Sequence, residues 1–468
     1  MSLTRRELIT AAVAGALVPA RGTSATNDPS WLDPYRPAAA RLIGAALAEP
    51  FAWRRLAELT DTFGHRLSGS RALEDAMAWC AREMERDGLE QVRTEPVMVP
   101  RWIRGRERLE IVTPYPGEIV MLGLGDSIGT GPDGIEGELV VVTSFDDLEA
   151  RAREIPGRLV LFDVPFTTYS ATAAYRFSGP SRAGRLGAAA ALVRSVGPRG
   201  LRTPHTGMLS YRPDAPRIPA AAITAEDAER LSRLLTRGPV RLRLFMEAET
   251  AGETESANLV AEVRGRERPD EVIVVGGHID SWDVGTGAVD DAGGCIVTWE
   301  ALRLMAALDL RPRRTVRVVL FTNEENGLRG ALAYRDRYLG ELHRHVLMLE
   351  SDSGVFSPRG FGFSGPPEAR RTVEGVASLL RGIGAHRVGP SGGGADIGPS
   401  VQAGKIPAMS LDVEDGQYFR YHHTEADTVD KLDPLEVARC GAAVAVMAWT
   451  IAELPERLSG EARGETRE

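Results

Sequence analysis

The sequence predicts an α/β protein: a mixed, mostly parallel sheet sandwiched by helices, joined to a separate β-rich segment. Three observations carry this. After residue 251, short apolar runs alternate regularly with helical stretches, an order that builds a largely parallel sheet covered on both faces. Between about 100 and 250 the texture differs, with short β-type runs cut by Gly and Pro turns. A length of 468 residues with 43% hydrophobic content allows two or three domains and a large core.

The first 25 residues are expected to stand outside the fold. Thr4-Arg5-Arg6-Glu7-Leu8-Ile9, a small apolar run over 10–20 and the end Thr23-Ser24-Ala25 have the form of a twin-arginine export signal. An amphipathic first helix with two chance arginines is the alternative. Export would leave a periplasmic or secreted protein. The run is too short to cross a bilayer, and no other segment reads as about twenty apolar residues, so no membrane span is expected.

Residues 30–98 read as helical, with apolar residues at helical spacing over 38–47, 51–62 and 71–87. Gly64-His65-Arg66-Leu67-Ser68-Gly69-Ser70 is a turn-rich loop between them. In 99–250 the strands are 139–143 and 159–162, with an Ala-rich helix over 182–193. From 251 to 455 the strands are 258–264, 272–276, 315–321 and 345–349, and helices are expected over 294–307, 328–338 and 434–452. The tail 456–468 is charged and Gly-containing, with the composition of a disordered end.

A net charge of -9 and a pI near 5.6 argue against nucleic acid or an anionic membrane surface as partner, because an acidic surface repels phosphate. Cys80, Cys295 and Cys440 sit in apolar or helical contexts with no Cys-x-x-Cys spacing. Three buried thiols are expected, a Cys80 or Cys440 disulfide being the alternative in an oxidising compartment.

Chemistry concentrates where the predicted strands of 251–455 end. The apolar run 272–277 delivers His278, and the period of two turns Asp280 the same way, so Asp280 is expected to accept the second imidazole N–H. Asp290-Asp291 opens a helix; the pair is either an ordinary N-cap or a ligand, with Gly293-Gly294 allowing close backbone approach. Glu324-Glu325 follows a fully apolar strand. Neighbouring side chains on near-extended backbone diverge, so one glutamate can bind a metal while the other faces substrate. Asp352 ends the next strand, with Glu350 as the weaker alternative, and His422-His423-Thr424-Glu425-Ala426-Asp427-Thr428 precedes the last helix. His65, His205, His343, His345 and His386 lack acid neighbours at strand ends and read as structural or surface residues. This donor set suits a two-metal hydrolase, in which one carboxylate bridges.

His278-x-Asp280, Asp290-Asp291, Glu324-Glu325, Asp352 and His423-Thr-x-x-Asp427-Thr428 together resemble the signature of the M28 family of zinc peptidases. The run Gly276 to Gly285 and the loop Ser391-Gly392-Gly393-Gly394-Ala395-Asp396 are similar to its carboxypeptidase Q-like subgroup. The resemblance covers nearly the whole chain after the export segment, and it implies the zinc-dependent exopeptidase (phosphorylase/hydrolase-like) fold with an inserted protease-associated (PA) domain over 99–250. It implies two Zn2+ per chain, with Asp290 bridging, His278 and Asp352 completing one site, and Glu325 and His423 the other. Glu324 becomes the general base to a metal-activated hydroxide, and His422 a donor to the oxyanion. The spacing favours His423 over His422 as ligand, although the two could exchange roles. A cis peptide between Asp290 and Asp291 is also implied.

The expected function is therefore that of an exported dinuclear zinc exopeptidase of small peptides or dipeptides. A metal-dependent deacylase of small amides is the alternative, glutaminyl cyclisation is less favoured, and a non-catalytic binding protein is disfavoured by the complete ligand set. Homodimers are common in the subgroup and are carried as an expectation. Trp282, Tyr418, Phe419 and Tyr421 either line the substrate pocket or pack loops.

Overall fold

The computed structural model describes residues 29–414 and 416–458; the twin-arginine segment 1–25 and residues 459–468 of the expected tail lie outside the described residues. Two eight-stranded sheets organise the chain. In the centre of the first, Arg314–Phe321, Arg268–His278, His345–Glu350 and Ala408–Val413 run parallel in that spatial order. Glu249–Val263 and Glu90–Ile103 extend it antiparallel on one side, and Pro358–Ser364 with the short Arg387–Gly389 completes the other.

The central strands are apolar throughout because both faces are covered. Ile273 and Val275 enter a core shared with the helices Gly293–Ala307 and Pro434–Glu453, while Val272 and Val274 face a second core containing Tyr334, Leu342 and Ile397. The four parallel strands finish at one edge of the sheet. That edge carries His278, the Glu324-Glu325 turn and Asp352, where ligands collect in open parallel sheets.

The second sheet lies within residues 107–246, in the order Gly117–Ile119, Glu107–Thr113, Arg241–Met246, Ile135–Val142, Leu159–Phe162, Ala190–Arg194, Ala220–Ile223, Met121–Gly123. Its helix Tyr169–Arg185, capped by the Thr168 hydroxyl accepting from the Ala171 amide, reaches back towards the edge of the first sheet.

Three expectations need correction. Residues 90–98, read as the end of a helical region, and 99–103, read as the start of the β-rich segment, form one long strand paired with Glu249–Val263; its β-branched residues and the pairing partner override the local pattern. The helix expected over 182–193 ends at Arg185, Gly187 turns the chain at a φ of 83°, and Ala190–Arg194 is a fully buried strand. A short apolar run does not distinguish the two states by periodicity. Finally, Pro434–Glu453 is long and apolar enough to cross a membrane, which the sequence reading did not credit, yet 83% of its most apolar window is buried in the fold. Its apolar surface belongs to the core. All three cysteines are free and buried.

Candidate active site

The donor residues converge at one point. His278 Nε2 lies 3.2 Å from Asp290 Oδ1 and 3.6 Å from Asp352 Oδ1. His423 Nε2 lies 2.9 Å from Glu325 Oε2 and 3.3 Å from Asp290 Oδ2. Asp290 thus stands between two His/carboxylate pairs. His422 Nε2 is also close, 3.6 Å from Asp290 Oδ2, and its ring stacks on that of His423 with centroids 3.5 Å apart. His423 alone of the two faces Glu325.

Each donor is held from behind. Asp427 accepts from the Val289 amide at 2.6 Å and the Asp290 amide at 3.1 Å, fixing the backbone of Asp290, and the Asp290–Asp291 peptide is cis. Asp291 turns away from the donors: it accepts from the His278 and Gly294 amides at 3.2 and 3.1 Å. Glycine is required around it, since a Cβ on Gly277 would meet the Asp291 carboxylate at 2.2 Å and one on Gly294 the Ser351 carbonyl at 1.8 Å. The Glu324-Glu325 turn starts from Asn323 in the left-handed region (φ 64°), a conformation asparagine tolerates, with its side chain bonded to Ser68, Asn326 and the Arg329 amide.

Asp280 does not act as expected. The Nδ1–H of His278 points to the backbone carbonyl of Asp280 at 2.9 Å, whereas the Asp280 carboxylate is 3.8 Å away. That carboxylate accepts instead from the amides of Glu324 (3.1 Å) and Glu325 (3.3 Å) and from the Ser68 hydroxyl (3.2 Å). The strand geometry turns its side chain across to the next strand end, so one residue orients His278 by its backbone and both glutamates by its side chain. Asp280→Ala is expected to lower kcat about 10- to 100-fold, and parallel kinetics and metal analysis check this: unchanged kcat would remove Asp280 from the site.

Residues from the second sheet's segment and from the 64–70 loop complete the surroundings, and no local pattern marks them. The Thr206 carbonyl lies 3.3 Å from His423 Nδ1 and accepts from Arg176 at 3.2 Å; Arg176 also donates to the Tyr169 hydroxyl. His205, read as structural, bonds through Nδ1 to the His422 carbonyl at 2.8 Å. Arg66, fully buried, donates to the carbonyls of Ile279, Thr286 and Gly287 and ties the 64–70 loop beneath the site. Only contacts across 30 to more than 200 residues reveal these roles.

Burial and crowding of like charges shape the electrostatics of the site. Burial, reinforced by the Asp290 carboxylate, pushes Glu325 up to about 7. Burial and the neighbouring Asp352 and Glu325 carboxylates push Glu324 well above the usual range, and Asp352 is raised by burial against the pull of His278. Burial opposes charge on His423, yet Glu325 and Asp290 hold it well above its ordinary value; His422 is driven well below by burial and by the neighbouring His423, against the pull of Asp290. Asp290 Oδ2 is buried without a hydrogen-bond donor. Two sets of donor atoms, Asp290/His422/His423 and His278/Asp290/Asp352, lie within 4.8 Å of one another. Crowded carboxylates, with the His278 and His423 imidazoles held from behind at Nδ1, fit metal cations.

The donors open into a cavity of about 680 Å³. Tyr418 and Phe419 line it together with Arg176, Phe177 and Tyr169, whose ring stacks on Phe419 with centroids 5.2 Å apart. Tyr418 also donates to Asp352 at 3.3 Å. Trp282 is packing: it stacks edgewise on Trp102 and His423, and its amide donates to Glu325 at 3.2 Å. Tyr421 packs against the core and Lys431.

A parallel α/β sheet with this donor cluster at its strand ends defines the class as a metal-dependent hydrolase. The chain belongs to peptidase family M28, whose model matches residues 258–448, and it is a metallopeptidase. It is 43% identical over 412 residues to carboxypeptidase Q from Homo sapiens, a match covering 88% of this chain and 87% of that protein. Among solved structures, a peptidase M28 precursor from Shewanella amazonensis SB2B superposes with a TM-score of 0.88 at 33% identity, covering 91% of this chain and 98% of the other. BSAP, a zinc aminopeptidase from Bacillus subtilis, shares the fold with a TM-score of 0.65 at 19% identity, covering 87% of this chain and 96% of that one.

Proposed function

We propose that this metallopeptidase is an exopeptidase of small peptides that works with two zinc ions, one held by His278 and Asp352, the other by Glu325 and His423, with Asp290 shared between them. The position of Asp290 carries the reading: its two oxygens face different histidines, and Oδ2 has no donor of its own. Mixed histidine and carboxylate donors suit zinc, and zinc is named for the Bacillus subtilis aminopeptidase of the same fold.

Zinc held by these residues would supply Lewis acidity to the reaction. The chain's own residues do the rest. Glu324 lines the cavity with its carboxylate free of hydrogen-bond partners among the described residues, so it can take a proton from water and return it to the departing amine. Asp280 and Asn323 hold the turn that aims it. His422 lines the cavity, and its imidazole would donate to the carbonyl oxygen as charge develops. A cavity of about 680 Å³ matches a peptide of a few residues rather than a folded protein.

Two further elements belong to this reading. Residues 1–25 would export the folded enzyme, supported by the Arg5-Arg6 pattern. The second sheet would be the PA-like insert, roofing the cavity through Tyr169 and Arg176.

A panel of free dipeptides, blocked peptides and acylated amines, assayed with and without a chelator, tests the proposal. Chelator-sensitive cleavage of the free dipeptides and recovery on adding zinc are expected. Cleavage restricted to the acylated amines would replace the peptidase reading with the deacylase one.

A further inference from the structure

One charged group in the cavity has no task in the chemistry above. Asp412 lies on the strand Ala408–Val413, where Met409, Leu411 and Val413 enter the core, so that Ser410 and Asp412 face the other way, towards the cavity they line. Parallel pairing sets Ser410 opposite Glu350. That pairing ends at Glu350, and Asp352 follows it into the same cavity that Asp412 lines. On its other side Asp412 pairs with Gly360 and Ser410 with Gly362, which have no side chain to answer the carboxylate.

Asp412 is half-buried and has no hydrogen-bond or ion-pair partner among the described residues. Arg176, the one Lys or Arg lining the cavity among those residues, is engaged with Thr206 and Tyr169 beside His423. Asp290, Glu325 and Asp352 are assigned to the metals and Glu324 to proton transfer. Asp412 therefore remains an unanswered negative charge in a cavity that Asp352, Ser391 and Ser410 also line. A primary ammonium answers it, since it pairs as a charged donor with the carboxylate and carries further N–H donors for hydroxyls lining the same cavity.

We propose that Asp412 is a specificity-determining residue that receives a primary ammonium group of the substrate beside the Asp352 side of the site. The inference rests on the peptidase reading. The ammonium comes either from the free amino terminus of the peptide or from a lysine-type side chain, and binding measurements separate the two.

Calorimetry on the zinc-loaded Glu324→Gln chain, with and without Asp412→Asn, compares Ala-Ala, acetyl-Ala-Ala and acetyl-Lys-Ala. Zinc content is measured alongside to show that Asp352 still functions. Asp412→Asn is expected to weaken Ala-Ala about 10- to 100-fold while leaving acetyl-Ala-Ala within about twofold, which assigns the amino terminus. A loss confined to acetyl-Lys-Ala assigns the side chain. Equal loss for all three peptides, or none, overturns the proposal. Turnover by the unsubstituted enzyme is scored separately: selective binding without hydrolysis sinks only the peptidase reading, and hydrolysis without selective binding sinks only the role of Asp412.

Discussion

Glu324→Gln is expected to lower kcat by about a hundredfold to ten-thousandfold, the range for removing a general acid–base group, while zinc content stays at that of the parent. Glutamine keeps the shape of the turn but cannot take a proton. The turn itself is held by groups the substitution leaves alone: the Asp280 carboxylate receives the backbone amides of Glu324 and Glu325, and Asn323 bonds Ser68 and Asn326. Glu325 keeps its contacts to His423 and the Trp282 amide. Steady-state kinetics beside metal analysis decides the matter. Full activity would mean that another group moves the proton, and loss of zinc would mean that Glu324 is a ligand.

Asp290→Asn should act on the metals first. Asparagine is close to isosteric, so Asp427 can still receive the Val289 and Asp290 amides, but the neutral amide offers one oxygen where the carboxylate offers two. Zinc per chain is expected to fall to less than half, with kcat/KM falling further than the about 10- to 100-fold that follows from altering a group behind a ligand. Dialysis followed by metal analysis reads the first effect. A variant that retains its full zinc complement would show that Asp290 does not join the two positions.

The fold and the site were legible to different depths. Strand ends were readable because a run such as 272–277 is uniformly apolar and then stops at His278, and a polar residue at the end of a buried strand has little reason to be there except chemistry. The same logic located Glu324-Glu325 and Asp352, whereas Asp290-Asp291 stood at a helix start and the family resemblance singled out Asp290; the structure brings these residues together with His278 and His423. Local pattern failed where partners decide the outcome: residues 90–103 are a strand because Glu249–Val263 pairs with them, and Ala190–Arg194 because it lies between two other strands. It failed also in the orienting groups. Asp280 was assigned to His278 from strand alternation, which says nothing of the neighbouring strand end whose amides its carboxylate meets. Arg66, Ser68, Thr206, Arg176 and His205 act through contacts made only by tertiary structure, and a buried arginine in a Gly-rich loop has no local signature.

The most direct test of the central claim is anomalous diffraction at the zinc edge from crystals of the zinc-loaded protein. Two peaks are predicted beside Asp290, one contacting His278 and Asp352 and the other Glu325 and His423. A single peak, or a second one ligated by His422 in place of His423, would contradict the account.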